Sequence, residues 1–144
     1  MVICIDLGAT NVKVALFDEK NDLIKGVEQI PTNADCGKDG VLRALKQATE
    51  LYLSPSVGRI AVSSAGTIDS EAKKIVYATD NLPGMTGFDY GAFFADNYGL
   101  PVSVANDAHA ALLGEINFGA AKSRLSERVI MITLGSGVGG AYAV

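Results

Sequence analysis

Three short stretches of this chain carry residue types that do chemistry. Asp6-Leu7-Gly8-Ala9-Thr10-Asn11-Val12-Lys13 stands near the start, Leu134-Gly135-Ser136-Gly137-Val138-Gly139-Gly140 near the end, and Asn106-Asp107 between them. Small residues at a turn let backbone N–H groups approach an anion closely, because no side chain stands in the way. The first stretch offers Gly8, Ala9 and Thr10 as amide or hydroxyl donors, Asp6 as a carboxylate at a strand end, and Lys13 just beyond. Asp6 suits a Mg²⁺ reached through water, since that ion takes few carboxylates and keeps several waters. The second stretch has four glycines in six positions, more than the one or two positive-φ residues that a two-residue hairpin loop needs. Two such turns with a carboxylate between them describe a nucleotide clamp with a catalytic acid or base.

Asn106-Asp107 lies where a strand ends and a helix begins, the end of an α/β sheet at which ligands bind. A helix N-terminus favours negative charge, and a carboxylate there can accept a proton from a hydroxyl. The same two residues are also ideal for a plain helix N-cap; the flanking glycine turns tilt the reading towards chemistry. His109 is the single histidine. With no further ligands beside it, it reads as a helix residue rather than a metal ligand. Asn81 ahead of Leu82-Pro83-Gly84, and Gly66 at the exit of a buried strand, are each explicable as turn chemistry alone.

The elements that must hold these residues follow from periodicity. Val2–Ile5 is apolar throughout, as for a strand covered on both faces. Val12, Val14 and Leu16 alternate into a second strand, and 23–30 forms a third, so the chain opens with an antiparallel meander. Val41, Leu42, Leu45, Ala48 and Tyr52 recur at helical spacing over 39–53. Ile60–Val62 is a buried strand, and the polar stretch 67–81 has no clear period. Asp89 caps a helix that runs to Tyr98, buries Phe93 and Phe94, and ends at Gly99. Val102–Val104 is a strand, 108–118 an alanine-rich helix and 119–127 a connector. Strands 129–134 and 141–144 follow, expected to pair with another chain or pack irregularly for want of sheet partners. The order βββαβαβα, then ββ, predicts an α/β fold with a mixed sheet flanked by helices. Because the closing ββ repeats the opening strand–glycine turn–strand, an internal duplication is expected.

Composition sets the outer bounds. With 144 residues, 49% of them hydrophobic, the chain can bury a core, and disorder is excluded. No run approaches the roughly 18 apolar residues of a membrane helix. A strand begins at Val2 with no basic or cleavable segment before it, so no secretory signal is read and a cytoplasmic location is expected. Cys4 reads as a core residue and Cys36 as a loop thiol, with no disulfide between them. Net charge is −4 and Lys73-Lys74 is the largest basic cluster, whereas nucleic-acid binding usually shows a basic stripe. Neither nucleic acid nor a membrane is expected as a partner.

These motifs, in this order, resemble the N-terminal half of the ROK family (repressors, open reading frames and sugar kinases), within the actin/hexokinase-like ATPase superfamily. The resemblance is carried by Asp6–Lys13, by Ser64-Ala65-Gly66 with Thr67-Ile68-Asp69, and by Asn81-Leu82-Pro83-Gly84. It extends through Asn106-Asp107-Ala108-His109-Ala110-Ala111-Leu112-Leu113-Gly114-Glu115 and Leu134–Gly140. It implies an actin-like ATPase (ribonuclease H-like) lobe over 1–120, and a connector with the start of a second lobe over 121–144.

What the resemblance implies chemically is ATP-dependent phosphorylation of a sugar hydroxyl, with Mg²⁺. Asp107 would take the proton from that hydroxyl, and Gly66, Asn81, Asn106 and Asp107 would hold the sugar. Asp6, Gly8, Ala9, Thr10, Asn11, Lys13, Gly135, Ser136, Gly137 and Gly139 would face the nucleotide, with Asp6 near Mg²⁺. The Asn-Leu-Pro-Gly segment is most similar to the family's glucokinases and favours a hexose such as glucose, and a homo-oligomer is expected. Ala65 and Ala9 replace a frequent Pro and Gly, and His109 a frequent Asn; none of these disables the site. The family's Glu-x-Gly-His segment, zinc-binding cysteines and adenosine site would lie beyond Val144. Structural zinc is therefore expected only there, and this chain alone is expected to be inactive. A sugar-responsive regulator of the same family would carry a helix-turn-helix segment ahead of Asp6 and ranks below the kinase. A non-catalytic sugar-binding fragment is the other alternative.

Overall fold

A computed structural model describes residues 1–122, 128–134 and 138–144. The order is β1 (Val2–Leu7), β2 (Asn11–Phe17), β3 (Leu23–Pro31), α1 (Gly37–Tyr52), β4 (Arg59–Ser64), β5 (Thr67–Asp69) and β6 (Lys74–Tyr77). Then come α2 (Tyr90–Tyr98), β7 (Val102–Asn106), α3 (Asp107–Asn117), β8 (Val129–Leu134) and β9 (Val138–Ala143). These elements form two compact units, Met1–Ala105 and Asn106–Val144. No helix of the described residues is long and apolar enough to cross a membrane.

In the first unit the strands lie in the order β3-β2-β1-β4-β7. β1 runs antiparallel to β2 and parallel to β4, and β3 is antiparallel to β2. The mixed α/β sheet is thus as expected, and the opening meander is its antiparallel half. Ile3, Ile5 and Leu7 of the central strand are buried, and α1 covers the sheet with Val41, Ala44, Leu45 and Ala48. Cys4 is half-buried, and that burial pushes its thiol pKa up; Cys36 is exposed.

The stretch 67–81 holds an antiparallel hairpin, β5–β6, that periodicity missed. Its strands have three and four residues, too few for an alternating pattern to register. At and just before β6 it is tied to the following segment: the Ile75 N–H donates to the Phe88 carbonyl and the Tyr90 N–H to that of Lys73. Asp89 caps α2 as expected, its Oδ1 accepting from the Ala92 N–H at 2.9 Å, and Gly99 closes the helix. Phe94 is fully buried, but Phe93 is only partly covered, correcting the expectation that both are core.

In the second unit α3 lies against the antiparallel β8–β9 hairpin, with Ala108, Leu112 and Ala141 at its centre. The other face of the hairpin is uncovered among the described residues. Ile130, Ile132, Leu134, Val138, Tyr142 and Val144 are each between 68% and 89% exposed. A contiguous apolar patch of this kind promotes association, and a two-stranded sheet is marginal alone. The 144-residue chain is therefore expected to sediment as more than a monomer at micromolar to millimolar concentration. Ile132→Lys should return it towards the monomer. A monomeric wild type across that range would contradict this.

Candidate functional site

The first turn joins β1 to β2 and is closed by the Gly8 N–H donating to the Asn11 carbonyl at 3.1 Å. The Gly8 amide is thus already used, while the Ala9 and Thr10 N–H groups have no acceptor among the described residues. Thr32, fully buried just after β3, pins the turn. Its Oγ1 donates to the Gly8 carbonyl at 2.8 Å, and its N–H donates to the Thr10 carbonyl at 2.9 Å. Thr32→Val keeps the volume and removes the first of these bonds. It is expected to cost about 1 kcal/mol, read as a lower urea midpoint with unchanged slope.

Asp6 sits opposite Lys13 on β2 and Ser63 on β4 in the sheet register. Ser63 Oγ donates to Asp6 Oδ1 at 2.9 Å, and Lys13 Nζ lies 3.6 Å from Oδ2. Both charged side chains are about half exposed, so the ion pair adds little stability. Its value is orientation: Ser63 anchors one oxygen while the carboxylate remains open to solvent. A single oriented carboxylate fits a hydrated Mg²⁺ that it reaches through water, and Lys13 beside it suits phosphate.

Gly66 lies two residues beyond the end of β4. Leu7 and Ser64 are register partners on parallel strands, so the first turn and the Gly66 turn leave the sheet at the same end. Gly66 has φ 103°, and a Cβ there would lie 2.6 Å from the Tyr77 carbonyl oxygen. Asn81 is exposed at the head of a tight turn, in which the Leu82 N–H donates to Thr79 and the Met85 N–H to Leu82. Leu82 and Met85 are buried and anchor that turn.

Asn106, Asp107 and Gly139 belong to the second unit. Asn106 is the N-cap of α3, its Oδ1 accepting from the Ala108 N–H at 3.0 Å and the His109 N–H at 3.4 Å. Asp107 opens the helix, exposed, with Oδ1 accepting from the Ala108 N–H at 2.9 Å. The capping role therefore falls to Asn106, and Asp107 presents its carboxylate to solvent. Gly139 lies within β9 across from Thr133. Gly135, Ser136 and Gly137 lie outside the described residues. His109 is exposed, and the described residues contain no cluster of three metal-ligating side chains.

Sequence reasoning missed Thr32, Ser63 and Tyr90, and gave Ser64 no role of its own. Each acts through a partner on another element, which no local pattern discloses. The Tyr90 hydroxyl donates to Ser64 Oγ at 2.8 Å, and Ser64 Oγ donates to the Ala65 carbonyl at 3.0 Å.

The family model described as "ROK family" matches residues 2–144. Glucokinase from Thermotoga maritima is 33% identical over 143 residues, covering 96% of this chain and 43% of the relative. Beta-glucoside kinase from Klebsiella pneumoniae is 29% identical over 140 residues, covering 97% and 45%. Among solved structures, a ROK family glucokinase from Streptomyces griseus, in complex with glucose and AMPPNP, superposes with a TM-score of 0.77. It is 28% identical, covering 99% of this chain and 44% of that one. The chain spans less than half the length of these relatives. The fold they share is the actin-like ATPase fold.

Proposed function

Because the chain belongs to the ROK family, we propose that it is the N-terminal part of an ATP-dependent sugar kinase acting on a hexose, glucose foremost. The observation that carries this reading is the division of labour at the start of α3. Asn106 caps the helix, leaving the neighbouring carboxylate of Asp107 exposed at its N-terminus. In the proposed reaction Asp107 accepts the proton of the sugar hydroxyl as its oxygen bonds to the γ-phosphorus and the bond to ADP breaks. Phosphoryl transfer depends mostly on alignment and charge stabilisation, so Asp107 chiefly orients that hydroxyl. Asn81, Asn106 and the Gly66 backbone are assigned to the sugar.

The nucleotide phosphates are assigned to the Ala9 and Thr10 N–H groups, with Gly8 and Asn11 shaping the turn and Lys13 adding charge. Gly135, Ser136, Gly137 and Gly139 are assigned to the nucleotide as well. Mg²⁺, reached from Asp6 through water, would offset the phosphate charge. We assign 1–120 to the N-terminal lobe and 121–144 to the opening of the second, in a cytoplasmic homo-oligomer.

The test is sugar-dependent ADP release by the full-length protein across glucose, mannose, N-acetylmannosamine and a β-glucoside, with the 144-residue chain as the expected inactive control. Glucose should give the highest kcat/KM. No release with any sugar would overturn the kinase reading, and preference for another sugar would overturn glucose.

A further inference from the structure

The pair Ser64 and Tyr90 has no place in the chemistry above, yet both residues are fully buried. Tyr90 is the first residue of α2, held there by its N–H on the Lys73 carbonyl. Its ring packs edge-on against Phe88, a contact that a phenylalanine would make equally well. What phenylalanine would lack is the hydroxyl, and a buried hydroxyl is costly unless partnered. The partner is Ser64 Oγ, which passes the chain of hydrogen bonds to a single backbone atom, the Ala65 carbonyl oxygen. Burial holds the Tyr90 hydroxyl pKa well above its ordinary value, so it remains a donor throughout the working pH range.

The backbone at which this hydroxyl chain ends is unusual. The Ala65 N–H donates to the Leu7 carbonyl at 3.4 Å, which ties one side of residue 65 to the sheet. On its other side lies the peptide leading into Gly66, and glycine places the weakest steric limit on rotation. In a trans peptide the C=O and the following N–H point in opposite directions. A hydrogen bond on the Ala65 carbonyl therefore constrains the direction of the Gly66 N–H.

We propose that Tyr90 and Ser64 are a positioning pair that sets the Ala65–Gly66 peptide plane and, through it, the affinity for the sugar. The second half of this statement rests on the assignment of Gly66 to the sugar.

The experiment has two readouts. In the chain labelled with ¹⁵N-glycine, Tyr90→Phe is expected to move the Gly66 amide signal while leaving those of Gly58 and Gly99 in place. Ser64→Ala should move it as well, and decides the matter if Tyr90→Phe does not fold. An unmoved Gly66 signal in a folded variant would overturn the proposal. In the full-length protein, Tyr90→Phe should raise the sugar KM roughly three- to tenfold, the equivalent of one net hydrogen bond. The ATP KM and kcat should stay within about twofold, and adding Ser64→Ala should bring little further change, because the two residues act as one unit. A moved Gly66 signal with an unchanged sugar KM, or equal changes in both KM values, would overturn the positioning role. If the wild type shows no sugar-dependent turnover, the kinase reading fails, and with it the link to sugar affinity. The Gly66 signal then still decides whether the pair sets the peptide.

Discussion

Asp107→Asn is expected to lower sugar-dependent ADP release by the full-length protein about a thousandfold, within the range attributed to a positioned general base. Sugar binding should stay within about threefold of wild type. The separation of the two effects follows from the local geometry. Asp107 Oδ1 accepts from the Ala108 N–H, and the Asn amide oxygen can accept the same bond. Asn106 keeps the cap intact through its contacts with Ala108 and His109. What the substitution removes is the proton acceptor, together with a negative charge at a helix N-terminus that contributes only about 0.3–1 kcal/mol. Isothermal titration with the sugar and a coupled assay of ADP release would separate binding from turnover. Unchanged turnover would remove Asp107 from the chemistry.

The elements legible in the sequence were those whose signals are local. Val2–Ile5 is apolar without interruption, α2 carries a cap at one end and glycine at the other, and α1 repeats at helical spacing. Much of the candidate site is legible for the same reason, since its motifs are short and contiguous. The supports behind it are not. Thr32 reaches Gly8 across 24 residues, Tyr90 reaches Ser64 across 26, and Ser63 reaches Asp6 across 57. A serine or threonine beside a turn is too common to stand out until the strand that brings its partner is in place. β8 is apolar along its whole length, VIMITL, yet among the described residues only one of its faces is packed, because α3 covers only one side. The glycines beside Val138 suggest a turn through Gly140, but the backbone of Val138, Gly139 and Gly140 pairs with β8, so β9 begins at Val138 rather than Ala141.

Gly66→Ala is expected to be among the most destabilising single-methyl additions in the chain, and Gly99→Ala is its control. Both glycines have positive φ, 103° at Gly66 and 66° at Gly99. Gly99 sits in the left-handed helical region with open space around a would-be Cβ. Alanine there meets only the conformational penalty, about 1–2 kcal/mol. At Gly66 that strain is joined by a Cβ only 2.6 Å from the Tyr77 carbonyl oxygen. Relief would require β6 to move, but β6 is bonded to β5 on one side and to the segment ending at Tyr90 on the other. The cost at Gly66 should therefore reach about 3 kcal/mol or more. At roughly 3 °C per kcal/mol for a chain of this size, that is a fall of about 10 °C in Tm, against about 3–6 °C for Gly99→Ala. Equal losses would mean that the hairpin yields freely and does not hold the Gly66 backbone in place. A larger loss at Gly66 would show that the hairpin, though made of two very short strands, is rigid enough to fix the turn assigned to the sugar.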